Sequence, residues 1–315
     1  MRLLLALWCV VAFAQDYPAK NVTIIVPYPA GGPTDQLARL LAPRFAEKLG
    51  KNFIVENVSG GGTTIGTGRV ARAAPDGHTL LLHNLQISAN VALYPKLQYD
   101  TERDLAAIAF INRNPLVLVG RKSLAPVTLG ELIAYMRANS FSMAHPGSGS
   151  SGHLATALFA QAAKVTPVQV PYRGGAPMVQ DLLGDHVDLL FGTPQQLAPL
   201  VASGQLKAYG VTAREAYPQF PSAASLVGAL GPKLEIFYWH ALFAPAATPK
   251  PVIDKLSAVV QGVLDDAALM KSWADTGVTP YPAGERTGQG AETLFKSEIA
   301  RWSEVVRENQ IQPVD

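Results

Sequence analysis

Apolar positions along this chain recur with two periods. Short, nearly unbroken apolar runs rich in β-branched residues read as buried strands, and apolar residues three and four apart read as helices. NVTIIVPY (21–28) is the first strand run. PTDQLARLLAPRFAEKLG (33–50) follows, with Leu37, Leu40, Leu41 and Phe45 at helical spacing and Gly50 as its stop signal. FIVEN (53–57) is a strand, TTIGTGRVARAA (63–74) a helix broken by Pro75-Asp76-Gly77, and HTLLLH (78–83) a strand. The pattern resumes with the strand PLVLVG (115–120), the helix LGELIAYMRAN (129–139), the strand SFSMA (140–144) and the helix HLATALFAQAAK (153–164). VQVPY (168–172), APMVQDLLGD (176–185), VDLLFG (187–192), PQQLAPLVASG (194–204) and LKAYGVT (206–212) continue the alternation. EIFYWHALFAP (235–245) is a long strand, and the chain is helical from Pro251 onward. PVIDKLSAVVQGVLDD (251–266) is the clearest helix there; ETLFKSEIARWSEVVREN (292–309) is amphipathic, with a core-facing stripe of Leu294, Ile299, Trp302 and Val306. Strands alternating with helices predict an α/β fold, parallel sheets covered on both faces, and a ligand at the strands' C-terminal ends.

Three joints in this pattern share one design. YPAGGPTD (28–35), HPGSGSSGH (145–153) and PYRGGAP (171–177) each leave a strand, pass through glycines and open a helix. A helix start carries unpaired N–H donors and about half a positive charge, and glycine lets a ligand approach the backbone closely. Each turn alone is explained by ordinary capping. Three together predict a site for a small anion.

The middle turn contains G-x-G-x-x-G (Gly147, Gly149, Gly152), the spacing of a dinucleotide-binding fingerprint. The acidic residue wanted some 20 positions later is missing; the next strand ends at Tyr172-Arg173, which leaves a 2′-phosphate, and so NADP, as a remote alternative. A serine hydrolase elbow needs G-x-S-x-G, and none of Ser148, Ser150 or Ser151 has glycines at both flanking places. The six histidines show no metal-ligand spacing. No catalytic constellation emerges, and neither a cofactor nor a metal is expected.

Composition narrows the setting. With 315 residues there is room for two cores, and 26 Lys+Arg against 24 Asp+Glu is too balanced for a nucleic-acid partner. MRLLLALWCVVAFA (1–14) has an early Arg2, a short apolar run and Ala12-Phe13-Ala14 at its exit. These features predict a secretory signal cleaved after Ala14, since the run falls short of the ~20 residues a membrane helix needs. The single cysteine, Cys9, lies inside that segment, so the exported protein is expected to have no disulfide. Export also disfavours the nicotinamide reading, because the reduced cofactor pools are cytosolic.

The ordered motifs YPAKNVTIIVPYPAGGPTD, VENVSGGGTTIGTGRVARAAPDGHTLL, LYPKLQYDTERDLAAIA, GSGSSGHLATALF, VPYRGGAPMVQDLLGDHVDLLFG and W-x-A-L-F-A-P-A-A-T-P span the chain from Tyr17 to its end. In order and spacing they resemble the periplasmic solute-binding receptors of tripartite tricarboxylate transporters, the Bug-type receptors. The resemblance implies a type II periplasmic-binding-protein fold, a Venus-flytrap clamp of two lobes, each a mixed sheet flanked by helices. Residues 15–115 with 243–315 would form one lobe and 116–242 the other, with PLVLVG and EIFYWHALFAP as crossing strands. It implies a monomeric receptor, not an enzyme, that hands a small organic carboxylate to membrane components. The same clamp could serve instead as the sensing partner of a membrane kinase.

Carried over by position, the first lobe would meet one carboxylate with Tyr28, Ala30, Gly31, Gly32, Thr34 and Asp35. The second would answer with Ser148, Gly149, Ser150, Ser151, Tyr172, Arg173 and Gly174. His83, with its neighbour Asn84, and His145 would serve a second carboxylate if they face the cleft, and are structural otherwise. Phe191 and Trp239 would either wall the cleft or pack in the hinge and core. An aromatic diacid such as terephthalate therefore stands beside aliphatic di- and tricarboxylates. The sequence departs from the family at His78, at Ala241 and at His145-Pro146, where a Tyr, a Gly and a Tyr with a small residue are usual.

Overall fold

The computed structural model describes residues 17–314. The expected signal segment, its cleavage site and Cys9 lie outside the described residues.

The chain opens with β1 (Val22–Val26), α1 (Pro33–Leu49), β2 (Phe53–Asn57), α2 (Thr64–Ala71), β3 (Thr79–Asn84), α3 (Gln86–Leu93) and β4 (Leu105–Pro115). It continues through β5 (Val117–Arg121), α4 (Leu129–Ala138), β6 (Ser142–His145), α5 (Ser151–Ala163), β7 (Val168–Pro171) and α6 (Gly175–Leu183). Then come β8 (Leu189–Gly192), α7 (Pro194–Ala202), β9 (Leu206–Val211), β10 (Ala224–Ser225) and α8 (Leu226–Leu230). It ends with β11 (Phe237–Pro245), α9 (Lys250–Leu264), α10 (Ala267–Asp275), β12 (Thr279–Pro280) and α11 (Gly288–Glu308). No helix among the described residues is long and apolar enough to cross a membrane.

Two six-stranded sheets result, ordered β12-β4-β11-β3-β1-β2 and β10-β9-β5-β8-β6-β7. The strand–helix units pair in parallel, β1 with β2 and β3, and β6 with β7 and β8. The sheets are mixed rather than purely parallel, because the chain changes sheet. β11 returns antiparallel against β3 and β4, and β5 runs antiparallel to β8 and β9. The strands at the centre are buried on both faces, which is why they read as continuous apolar runs.

Three apolar clusters hold the layers. Leu41 and Phe45 of α1 meet Leu256, Val260 and Val263 of α9 on one face of the first sheet. Phe295, Ile299 and Trp302 of α11 cover its other face, in a cluster that runs on into α5 and β8. A third, around Val117, Met178, Leu190 and Leu197, closes the far side of the second sheet. Burying each of these large side chains contributes about 1.5–3 kcal/mol.

The chain passes between sheets twice. β4 leads into β5 through Leu116, and the segment from Thr212 to Ile236 leads back to β11. Thr212, fully buried, joins the two passages. Its Oγ1 accepts from Leu116 N at 2.8 Å and donates to the Ile236 carbonyl at 2.6 Å, and its amide donates to the Leu116 carbonyl at 2.9 Å.

Candidate ligand-binding site

The first glycine turn follows β1 and opens α1. Gly31 takes φ 87°, a left-handed conformation that favours glycine, and nothing lies within 4 Å of where its Cβ would stand. Pro33 at the helix start sacrifices no hydrogen bond. The amides of Thr34 and Asp35 are in the first helical turn, where the helix supplies no acceptor.

The side chains of those two residues point inward, which leaves their backbone amides as the groups the turn can offer. The buried Asp35 carboxylate accepts from Gly31 N at 2.9 Å, Arg39 Nε at 3.0 Å and Asn57 Nδ2 at 3.0 Å. Burial opposes its charge, and the bonds from Arg39, Gly31 and Asn57 outweigh that, so the group stays ionised below the usual carboxylate range. An anion would repel it rather than bond to it. The Gly31 amide is likewise occupied, leaving the rest of the turn to offer donors.

Thr34 is 1 % exposed. Its Oγ1 lies 3.1 Å from His240 Nε2, 3.2 Å from Asn84 Nδ2 and 3.3 Å from Tyr238 Oη. His240 Nδ1 donates to Asn112 Oδ1 at 2.8 Å, so its Nε2 accepts the threonine proton. Asn84 spends its remaining capacity on Tyr238 Oη and on the Gln86 amide. His83 Nδ1 accepts the Asn84 amide at 2.7 Å, and its Nε2 meets Thr63 Oγ1 at 3.1 Å. Burial pushes both His83 and His240 down to about 3, so both are neutral. His83 and Asn84 are thus the roof of a saturated internal network, not free donors toward a second carboxylate. Tyr28, half-buried, packs edge-on against His83 and reaches Gln86 Oε1 at 3.4 Å. Ala30 and Gly31 are exposed and Gly32 half-buried.

The second turn follows β6 and opens α5. Gly147 and Gly149 adopt φ 119° and 76°. Ser150 is the N-cap: its Oγ accepts from His153 N at 3.3 Å and gives its own proton to the Gly147 carbonyl at 2.6 Å. This hydroxyl is therefore engaged within its own turn. Ser148 is exposed, and Ser151, at the first helical position, is buried. His145 is 3 % exposed and stacks on His153 rather than opening to a cleft.

In the third turn Gly174 takes φ 112° and caps α6. Tyr172 Oη donates to Asp181 Oδ2 at 2.6 Å, so this phenol is committed as well; burial, then Asp181, pushes it up to about 12. Arg173 is exposed and, among the described residues, has no carboxylate partner.

Phe191 and Trp239 belong to the core, each 1 % exposed, and do not wall a cleft. Phe191 packs against Phe159; Trp239 packs against Phe110 and donates from Nε1 to Glu298 Oε2 at 2.6 Å.

The first two turns are joined by α3, which the apolar–polar pattern did not reveal. Gln86 Nε2 donates to the Ser148 carbonyl at 3.1 Å and to the Gly62 carbonyl at 3.3 Å. Leu93 and Asn90 lie so close to Gly149 that a Cβ there would fall 2.8 Å from Leu93 Cδ1. The signal was present: His83, Asn84, Gln86, Ser88 and Asn90 are polar residues in an apolar stretch, and all five are buried. Two cavities lie elsewhere. One of about 690 Å³ is bordered by residues 91–104, and one of about 300 Å³ lies between the end of α11 and the C-terminal tail. No group of three or more metal-ligating side chains occurs among the described residues.

Comparison with known proteins agrees with this architecture. The family described as tripartite tricarboxylate transporter family receptor matches residues 37–311. The periplasmic binding protein BugD superposes with a TM-score of 0.87 at 32 % identity, covering 95 % of this chain and 100 % of that one. MatC from Rhodopseudomonas palustris, with bound malate, gives 0.85 at 35 % identity over 92 % of this chain and 100 % of its own. A second R. palustris protein, with adipate, gives 0.87 at 31 % identity over 95 % and 100 %. These relatives are two-lobed solute-binding receptors, not enzymes.

Proposed function

We propose that this chain, which belongs to the tripartite tricarboxylate transporter receptor family, works in the periplasm. There it closes its two lobes on a small aliphatic di- or tricarboxylate and delivers it to the membrane components of such a transporter. The observation that carries this reading is that Gln86 links Tyr28, at the head of the first glycine turn, to the Ser148 carbonyl of the second, two turns that follow strands of different sheets and each open a helix. Each offers backbone donors and the positive end of a helix, and neither turn presents a buried free cation. Such a site holds an acid group through amides and bridging waters. Arg173, in the third turn, supplies a long-reaching positive charge suited to a second acid group.

Two relatives carry malate and adipate in their structures. Phe191 and Trp239 are buried in the core, which supports open-chain acids over a terephthalate-like ligand. Thermal melting with malate, adipate, citrate, terephthalate and NADP tests this. A ligand at 100 times its Kd adds about 2.7 kcal/mol, enough to raise Tm by several degrees. An aliphatic acid is expected to give that rise. Stabilisation by NADP with no response to any acid would overturn the reading.

A further inference from the structure

Two imidazoles at the second turn have no task in simple amide capture. His145 ends β6, His153 lies in the first turn of α5, and their rings stack with centroids 4.6 Å apart and planes 29° apart. His153 Nδ1 accepts the Gly149 amide at 3.1 Å, so that ring is neutral with its proton on Nε2. His145 Nδ1 is buried without a partner. Burial holds both below the ordinary histidine value, His153 at about 4 with His145 adding to the effect. The charged groups around the turn are few. Arg173 follows β7, and Asp181 of α6 is bonded to Tyr172. From α3 come only the uncharged Gln86, Asn90 and Leu93.

We propose that His153 is the specificity-setting residue of this turn: it occupies the Gly149 amide when no ligand is present and takes up one proton on Nδ1 as an acid group docks. The inference rests on the carboxylate reading and adds to it. A carboxylate within about 4–6 Å of an imidazole favours its charged form. Once Nδ1 carries a proton it can no longer accept from Gly149, so the amide is released to the ligand oxygen and the imidazolium becomes a second, charged donor. The stacked His145 stays neutral, because two positive rings at this separation repel. One solvent proton is therefore taken up per ligand. The site then favours an ionised acid over its uncharged amide or ester, neither of which draws a proton in.

The sign follows. Free His153 titrates at about 4 and the bound ring higher, so affinity rises as pH falls from 7 toward 5, until the ligand's own carboxyls protonate. Calorimetric titration of the purified protein with malate or adipate at pH 5.5, in buffers of different ionisation enthalpy, counts the protons. Wild type is expected to take up a large fraction of one proton per ligand. His153→Gln keeps an acceptor for Gly149 but cannot be charged; it should bind without that uptake and about tenfold more weakly. His145→Gln should keep the uptake. Nitrogen-15 spectra of the wild-type imidazoles should show His153 Nδ1 becoming protonated on binding, which decides the matter even if His153→Gln fails to fold. Equal uptake in wild type and His153→Gln, or a bound acid with His153 still neutral, overturns this inference alone. Failure of both acids to bind overturns the carboxylate reading with it.

Discussion

At the scale of single residues, the first glycine turn is held in shape by a carboxylate that was a candidate ligand contact. Asp35 ties Gly31, Arg39 and Asn57 together from inside. Asp35→Ala should lower stability by about 2–3 kcal/mol, since it removes the acceptor shared by the Gly31 amide, Arg39 and one N–H of Asn57, and denaturant titration reads this. Affinity for malate or adipate should fall too, as the turn loosens. The residues Y-P-A-G-G-P-T-D were legible as a helix-opening anion turn, because glycine and proline report backbone conformation directly. The inward aim of Thr34 and Asp35 was not legible. Nothing local says that the partners of Thr34 are Tyr238 and His240, two hundred residues further on.

At the scale of elements, strands and helices with strong periodicity were read nearly to the residue: FIVEN matches β2, and 33–50 differs from α1 only by its stop glycine. α3 and β4 escaped. α3 is buried from Gln86 to Asn90, so no polar face gives it a helical period, and β4 is an eleven-residue strand among antiparallel neighbours. Both matter to the site, α3 by reaching the second turn. Gln86→Ala should remove the bond to Ser148 and shift unliganded protein toward an open form, visible as a larger radius of gyration in solution scattering. A radius unchanged from wild type would show that this contact does not hold the lobes. A second element-level joint is Glu298 of α11, whose Oε2 accepts from the indoles of Trp239 at 2.6 Å and Trp302 at 3.0 Å. Glu298→Ala leaves two buried N–H groups unpaired and should cost roughly 3 kcal/mol or more in a urea melt.

At the scale of the molecule, the first sheet carries two histidines kept neutral by burial, one on β3 and one on β11. His83 and His240 titrate at about 3 when folded, against an unperturbed value near 6.5. Between those values the unfolded chain binds more protons than the folded one, so stability rises with pH across this window and is lost as pH falls below about 6.5. Melting temperature should therefore decline steadily from pH 7 to pH 4. His240→Gln, measured in parallel, should show a shallower decline from a lower starting point. The two-lobed class was legible from the order of motifs along the whole chain, whereas the antiparallel returns of β5 and β11 depend on contacts that no local period encodes.

The knot at Thr212 has a mechanical meaning. Because one side chain grips both Leu116 and Ile236, neither passage can slip along its own axis without dragging the other. If the two sheets move against each other as proposed, this joint favours rotation about a pivot beside that threonine over translation. Under the transport reading proposed above, occupancy of the cleft would be broadcast as an angle between the two sheets, a signal for a membrane partner on an outer surface far from the solute itself.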